Sequence, residues 1–141
     1  MRIMGLDYGD KTVGVAISDE LLITAQPLLT IERERWNKLR KTYQQLEKII
    51  EVNKVEKIVL GRPLNMNATE GERVERTNAF AEELSRRSGL EIIWIDERLT
   101  TAQADRILKE TGVAISGRKE YIDKMAAAII LQTYLDTQSN A

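Results

Sequence analysis

The sequence predicts an α/β protein built on a five-stranded mixed sheet, three antiparallel strands followed by two βα crossovers, with helices on both faces. Three observations predict it. The opening thirty residues alternate apolar and polar or small side chains, interrupted by short turns. Two later apolar runs, Lys57 to Leu60 and Leu90 to Ile95, have the length and flanks of buried strands, and each follows a helical periodicity. The last long segment is apolar on most sides, as a helix packed onto a sheet should be.

Taken in order, Arg2 to Tyr8 puts Met4, Leu6 and Tyr8 on one face and Ile3, Gly5 and Asp7 on the other. Gly9-Asp10-Lys11 is turn material. Thr12 to Ser18 alternates again, Val13, Val15 and Ile17 opposing Gly14, Ala16 and Ser18, which predicts an antiparallel hairpin. Ile23 to Ile31 is a third strand whose Pro27 calls for an edge or a bulge. Trp36, Leu39, Tyr43, Leu46 and Ile50 recur at helical steps, and Val74, Phe80, Ala81 and Leu84 give a second helix stopped at Gly89. Thr100 or Thr101 caps a third helix carrying Ala104, Ile107 and Leu108. The last helix runs from about Glu120 to Leu135. This order, β-β-β-α-β-α-β-α-α, is that of an RNase H-like fold, a scaffold that hosts more than one function.

The 141 residues correspond to one domain. There is no Cys and no His. Zinc sites built on those ligands, haem, Fe–S clusters, Ser-His-Asp triads and thiol nucleophiles are therefore excluded. What is left for catalysis is carboxylates, Lys, Arg and hydroxyls, and carboxylates suit Mg²⁺ or Mn²⁺. With no disulfide framework, no signal peptide at the N-terminus and no apolar run near the roughly 20 residues that span a bilayer, a cytoplasmic location without membrane contact is expected. The net charge of -1 lacks the strongly basic balance of many nucleic-acid-binding domains. Local runs remain: Arg33, Arg35, Lys38, Arg40 and Lys41, and Arg86-Arg87.

Three acidic positions stand out. Asp7 lies in a strand among apolar residues, next to Gly5 on its own face. Asp96 and Glu97 stand at the carboxyl end of a buried strand, where open α/β sheets collect ligands, and alternation allows only one of them to share a site with Asp7. Asp123 lies in the first turn of the last helix, and Ala126 and Ala127 would let that helix approach the sheet. Singly, each has an ordinary role: Asp7 satisfying turn amides, Asp96 or Glu97 capping a helix or pairing with Arg98, Asp123 complementing the helix dipole. Together they are the carboxylate set that a two-metal phosphodiester cleavage site needs. The loop from Arg62 to Gly71 follows a strand and opens a helix bearing Arg73 and Arg76, a place for phosphate, with Thr69 as N-cap and Glu72 as its capping-box partner.

Four motifs then resemble those of the YqgF family, RNase H-like bacterial proteins described as Holliday junction resolvase-like and as pre-16S rRNA nucleases. They are Gly5-Leu6-Asp7-Tyr8-Gly9-Asp10-Lys11 with Gly14-Val15-Ala16, Gly61-Arg62-Pro63-Leu64-Asn65-Met66 to Gly71, Asp96-Glu97-Arg98-Leu99-Thr100-Thr101, and Asp123 with Ala126-Ala127 and Ile130-Leu131-Gln132. They cover essentially the whole chain in order. The resemblance implies catalytic, metal-holding carboxylates at Asp7, Glu97 and Asp123, with Asp96 the second choice to Glu97. It implies a two-metal Mg²⁺ or Mn²⁺ site. Lys11, Arg62, Arg73 and Arg98 are the expected substrate contacts. The implied activity is metal-dependent endonucleolytic processing of the 5′ end of pre-16S rRNA on the pre-ribosome. Two positions depart from the family pattern: Thr12 where Arg is common, and Asn67-Ala68-Thr69 where Asp-Gly-Ser is usual. The competing readings are a Holliday junction resolvase, for which a homodimer would match two symmetric cuts, a non-catalytic RNA-binding assembly module, and an actin-like nucleotide-binding protein. The last would need a second domain.

Overall fold

In a computed structural model that describes residues 1–62, 71–96 and 118–139, the sheet runs in the order β3-β2-β1-β4-β5. Strands β1 (Arg2–Tyr8) and β2 (Thr12–Ser18) form the expected hairpin, Asp7 lying opposite Gly14 and Gly5 opposite Ala16. Strand β3 (Ala25–Glu32) adds antiparallel at the edge. Its register jumps from Val15↔Leu29 to Ala16↔Pro27, so Pro27 sits both on an edge strand and beside a bulge, the two places where a missing N–H costs least. The strand begins two residues later than its apolar pattern suggests. Asp19 Oδ1 accepts the backbone N–H of Ile23 at 2.7 Å and of Thr24 at 3.0 Å, which holds both in a turn. Those bonds, that of Thr24 first, hold the exposed Asp19 carboxyl below its usual pKa.

Strand β4 (Val55–Arg62) pairs parallel with β1, and β5 (Ile92–Asp96) pairs parallel with β4. Helix α1 (Arg40–Asn53) precedes β4 and α2 (Glu72–Ser88) precedes β5. Both pack on the face that carries Met4, Leu6, Tyr8, Val13, Val15, Ile58 and Leu60. Two expectations about helix starts are corrected. Trp36 is outside α1, because residues 35–38 close a turn (Lys38 N–H to Arg35 O, 3.1 Å) and the Trp36 carbonyl accepts Arg33 Nε–H at 3.4 Å. The N-cap of α2 is Gly71, with no side-chain cap, so Glu72 is the first helical residue rather than the far half of a capping box from Thr69. Glycine serves there because an N-cap needs only extended backbone and open amides. Gly89, at φ 72°, ends the helix as expected.

The last helix, α3 (Arg118–Ser139), covers the opposite face. Ala127, Ala128, Ile130, Leu131, Tyr134 and Leu135 pack against Ile3, Ala16 and Val59. Gln132 pins it to the edge strand, accepting the Ala25 N–H at 2.9 Å and donating to the Ile23 carbonyl at 3.0 Å. The helix starts earlier than expected, so Asp123 lies beyond its first turn. The dipole explanation for an acid there is weakened accordingly, since that effect fades within one turn. The expected third helix, with Ala104, Ile107 and Leu108, lies outside the described residues.

Candidate active site

The carboxyl end of β1 is where the chemistry-bearing residues meet. Alternation turns Ile3, Gly5 and Asp7 toward α3 and Met4, Leu6 and Tyr8 toward α1 and α2. Asp7 is half-buried there. Its cross-strand neighbour is Gly14, and a side chain at that position would stand roughly 5 Å from the Asp7 Cβ. The space is taken by helix α3 instead. A Cβ on Gly14 would lie 1.9 Å from the Asp123 carbonyl oxygen and 2.4 Å from its carbonyl carbon. Two residues along β1 the same thing happens: a Cβ on Gly5 would lie 2.6 Å from Leu131 Cβ and 2.8 Å from the Ala127 carbonyl oxygen. The two glycines let the helix backbone sit on the sheet, and the helix thereby delivers Asp123 to the spot beside Asp7. The Asp123 side chain is half-buried, with Oδ2 wholly so.

The other face of the same strand end is filled by rings and guanidinium groups. Tyr8 stacks on Phe80 at 4.4 Å between centroids, and Phe80 on Tyr43 at 5.5 Å. Arg33 lies over the Tyr8 ring at 4.8 Å, and Arg87 over Tyr43 at the same distance. Burial pushes the Tyr8 hydroxyl above its usual pKa, with Arg33 opposing, and pushes Tyr43 up to about 12. Burial likewise lowers Arg33. The Arg33 side chain donates to the Gly9 carbonyl, and its backbone N–H donates to the Lys11 carbonyl at 2.8 Å. Arg76 reaches the same turn, 3.5 Å from Asp10 Oδ1, while also pairing with Glu72 at 3.2 Å and covering Trp36 at 3.9 Å.

The structure thus lays the Asp123 backbone over Gly14, the residue opposite Asp7, and puts Asp96 by strand parity on the other face. Asp96 ends β5 opposite Arg62 and shares the parity of Ile92 and Trp94, on the α1 and α2 face. Arg62 is on that face too, its guanidinium 4.6 Å above the Trp94 ring, so the sheet stands between it and Asp7. Lys11 is exposed in the turn that follows Asp7, and Arg73 is exposed at the start of α2. Glu97 and Arg98 lie outside the described residues. Among the described residues no three acidic side chains gather as a metal-binding group. Sequence reasoning gave no role to Gly14, although it lies in the first motif and across from Asp7, nor to Arg33, which read as one charge among several in a basic run.

The sheet order, the parallel crossovers and the helix laid over β1 and β2 define a protein of the RNase H-like fold class. The RuvC of T. thermophilus, solved with a Holliday junction substrate, superposes with a TM-score of 0.66 at 13% identity, covering 100% of this chain and 97% of that one, a likeness of fold. A resolvase of fowlpox virus shares the fold at a TM-score of 0.56 and 13% identity, over 98% of this chain and 99% of that one. Residues 1–137 match the RuvX family, described as Holliday junction resolvase, and the chain belongs to that family. A relative from Agathobacter rectalis is 57% identical over 141 residues, spanning 100% of this chain and 99% of its own length. One from Listeria monocytogenes is 51% identical over 137 residues, spanning 97% and 99%. Both bear the name "Putative pre-16S rRNA nuclease". No helix among the described residues is long and apolar enough to cross a membrane.

Proposed function

We propose that this chain is a divalent-metal-dependent endonuclease that trims the 5′ end of pre-16S rRNA, with Asp7, Asp123 and Glu97 as its catalytic carboxylates. The observation that carries the proposal is the convergence of Asp7 and Asp123 across Gly14. Half-buried carboxylates are costly unless hydrogen bonds, a proton or a cation offset their charge. All-oxygen donors in a chain with neither imidazole nor thiol fit Mg²⁺ or Mn²⁺. Such ions, when bound, supply activation of the attacking water and stabilisation of the leaving oxygen.

The parity of β5 supports Glu97 as the third carboxylate over Asp96. Ile93 and Ile95 share the α3 face, Asp96 does not, and Glu97 is next in the chain. The roles of the chain's own groups follow. Asp7, on the central strand, is the anchor, and Asp123 arrives on the helix that Gly5 and Gly14 admit. Lys11, one short turn from Asp7, neutralises the phosphate being cut, and Arg98 and Arg73 are further substrate contacts. Arg62, across the sheet, contacts a more distant part of the substrate. The names of the two relatives support precursor rRNA as that substrate, and with it work in the cytoplasm on the pre-ribosome.

A second reading, resolution of four-way DNA junctions, is favoured by the description of the family and by the RuvC fold. One experiment separates the two. Purified protein is incubated with a 5′-extended 16S rRNA precursor and with a four-way DNA junction, in Mg²⁺, Mn²⁺ or EDTA, beside Asp7→Asn. The expected result is cleavage of the precursor that needs metal and Asp7. Cleavage of the junction alone would move the assignment to the second reading. Activity that survives both EDTA and Asp7→Asn would refute the carboxylate mechanism.

A further inference from the structure

Apart from Arg33, the cations of the basic run at 33–41 have no part in the site described above. The run holds Arg33, Arg35, Lys38, Arg40 and Lys41 against a single acid, Glu34. In the structure it forms the connection from β3 into the start of α1. Arg35, Lys38, Arg40 and Lys41 are all exposed. Among them stands Trp36, with 45% of its surface in water. The Arg76 guanidinium lies 3.9 Å from the Trp36 ring centroid. Beside the indole a cavity of about 230 Å³ opens, walled by Tyr43, Phe80, Leu39 and Ala79.

Arg33 decides where this strip lies. Its backbone N–H holds the Lys11 carbonyl at 2.8 Å, its side chain holds the Gly9 carbonyl, and its Nε–H holds the Trp36 carbonyl at 3.4 Å. One residue therefore fastens the Trp36 turn to the β1–β2 turn, directly after Asp7. Arg76 adds a second fastening through Asp10 at 3.5 Å. The strip therefore lies on the α1 and α2 face, fastened to the turn that follows Asp7.

We propose that segment 33–41 binds an unpaired stretch of nucleic acid next to the cut, with one base stacked at Trp36 and the phosphates running along Arg35, Lys38, Arg40 and Lys41. The proposal rests on the nuclease reading for its polymer and adds that the strand must be single where it crosses this strip. An exposed aromatic among cations is the pattern by which single strands are held, because every unpaired base offers a π-face. Paired bases have those faces covered by their neighbours and present mainly phosphate. The cations alone would suit a duplex or an acidic protein, whereas the indole among them favours a splayed base.

Binding is measured by fluorescence anisotropy in EDTA, so that nothing is cut. The probes are a labelled single-stranded RNA 12-mer, the same sequence in DNA, and a blunt RNA duplex of equal length. The single strands are expected to bind at least roughly tenfold more tightly than the duplex, and the RNA and DNA arms show which sugar is preferred. Trp36→Ala is expected to weaken single-strand binding roughly tenfold and leave the duplex arm unchanged, while Trp36→Phe recovers most of the loss. Equal affinity for single strand and duplex, or Trp36→Ala binding like the wild type, would overturn the proposal. Absence of cleavage in metal-containing buffer would count against the nuclease reading alone, because this assay contains no cleavage step.

Discussion

Asp7 and Tyr8 are adjacent in the chain and face opposite ways, and the two sides of the sheet they enter are built on contrary principles. On the Asp7 side the side chains have been removed. Gly5 and Gly14 present bare backbone, and helix α3 lies directly on them. On the Tyr8 side the space is filled, with Tyr8, Phe80 and Tyr43 stacked in series and Arg33 laid over the first ring. The filled side gains stability from burial and ring contact. The emptied side forgoes side-chain burial at two positions, and what it obtains is the Asp123 backbone laid over Gly14, opposite Asp7. Strained or electrostatically costly arrangements of this kind are typical of sites under functional demand.

Mutations can test the contrast. Asp7→Asn should have the largest effect, lowering cleavage on the order of a thousandfold or more while the urea midpoint stays level or rises. A stability loss matching the activity loss would show that Asp7 is structural. Phe80→Ala, on the filled side, should do the reverse, costing about 3–5 kcal/mol in urea unfolding. The molecules that remain folded should keep far more activity than Asp7→Asn does. Gly14→Ala should combine the two effects. Its Cβ would meet the Asp123 carbonyl at 1.9 Å, so the helix must shift, at about 1–3 kcal/mol. Cleavage per folded molecule should fall as well, because the displaced residue is Asp123. Normal activity in Gly14→Ala would mean that the close approach is packing alone.

The smallest effect expected is one of pH. The folded protein holds Tyr43 at about 12, above the ordinary value of 10.0. A raised acid pKa means that the neutral hydroxyl is favoured in the fold. Its contribution is intact below pH 10 and is lost as pH climbs toward 12. Urea midpoints taken across that window should fall less steeply in Tyr43→Phe than in the wild type. Equal slopes would place the alkaline sensitivity elsewhere.

Much of this was legible in the residues. The two faces of β1 and β2 follow from a period of two, and each residue assigned to a face by that period lies on it: Met4, Leu6 and Tyr8 against α1 and α2, Ile3 and Ala16 against α3. Pro27 correctly marked an edge and a bulge, because a residue without an N–H has few other places in a sheet. What was not legible involved partners distant in the chain. Trp36 fits the helical spacing of Leu39 and Tyr43, yet Arg33, itself fixed on the distant Gly9 and Lys11 carbonyls, ties it into a turn. Gly14 looks like any small strand residue until α3 arrives on top of it. Arg62 reads in the sequence as a substrate contact, and only the structure shows its guanidinium over Trp94 on the α1 and α2 face.

The chain alone determines the chemical vocabulary: carboxylates without His or Cys, five strands in a legible order, and a last helix apolar enough to be buried. These depend on composition and local period, which neighbouring residues set among themselves. The meeting of Asp7 with Asp123, the separation of both from Asp96, and the fastening of Trp36 beside the Asp7 turn were decided by tertiary structure. The first depends on how closely α3 can approach the sheet, which is set by the side chains missing at Gly5 and Gly14 and which no periodicity records. The last depends on the bonds of Arg33 to the Gly9 and Lys11 carbonyls, and the separation from Asp96 follows the alternation of β5 once its pairing with β4 is fixed.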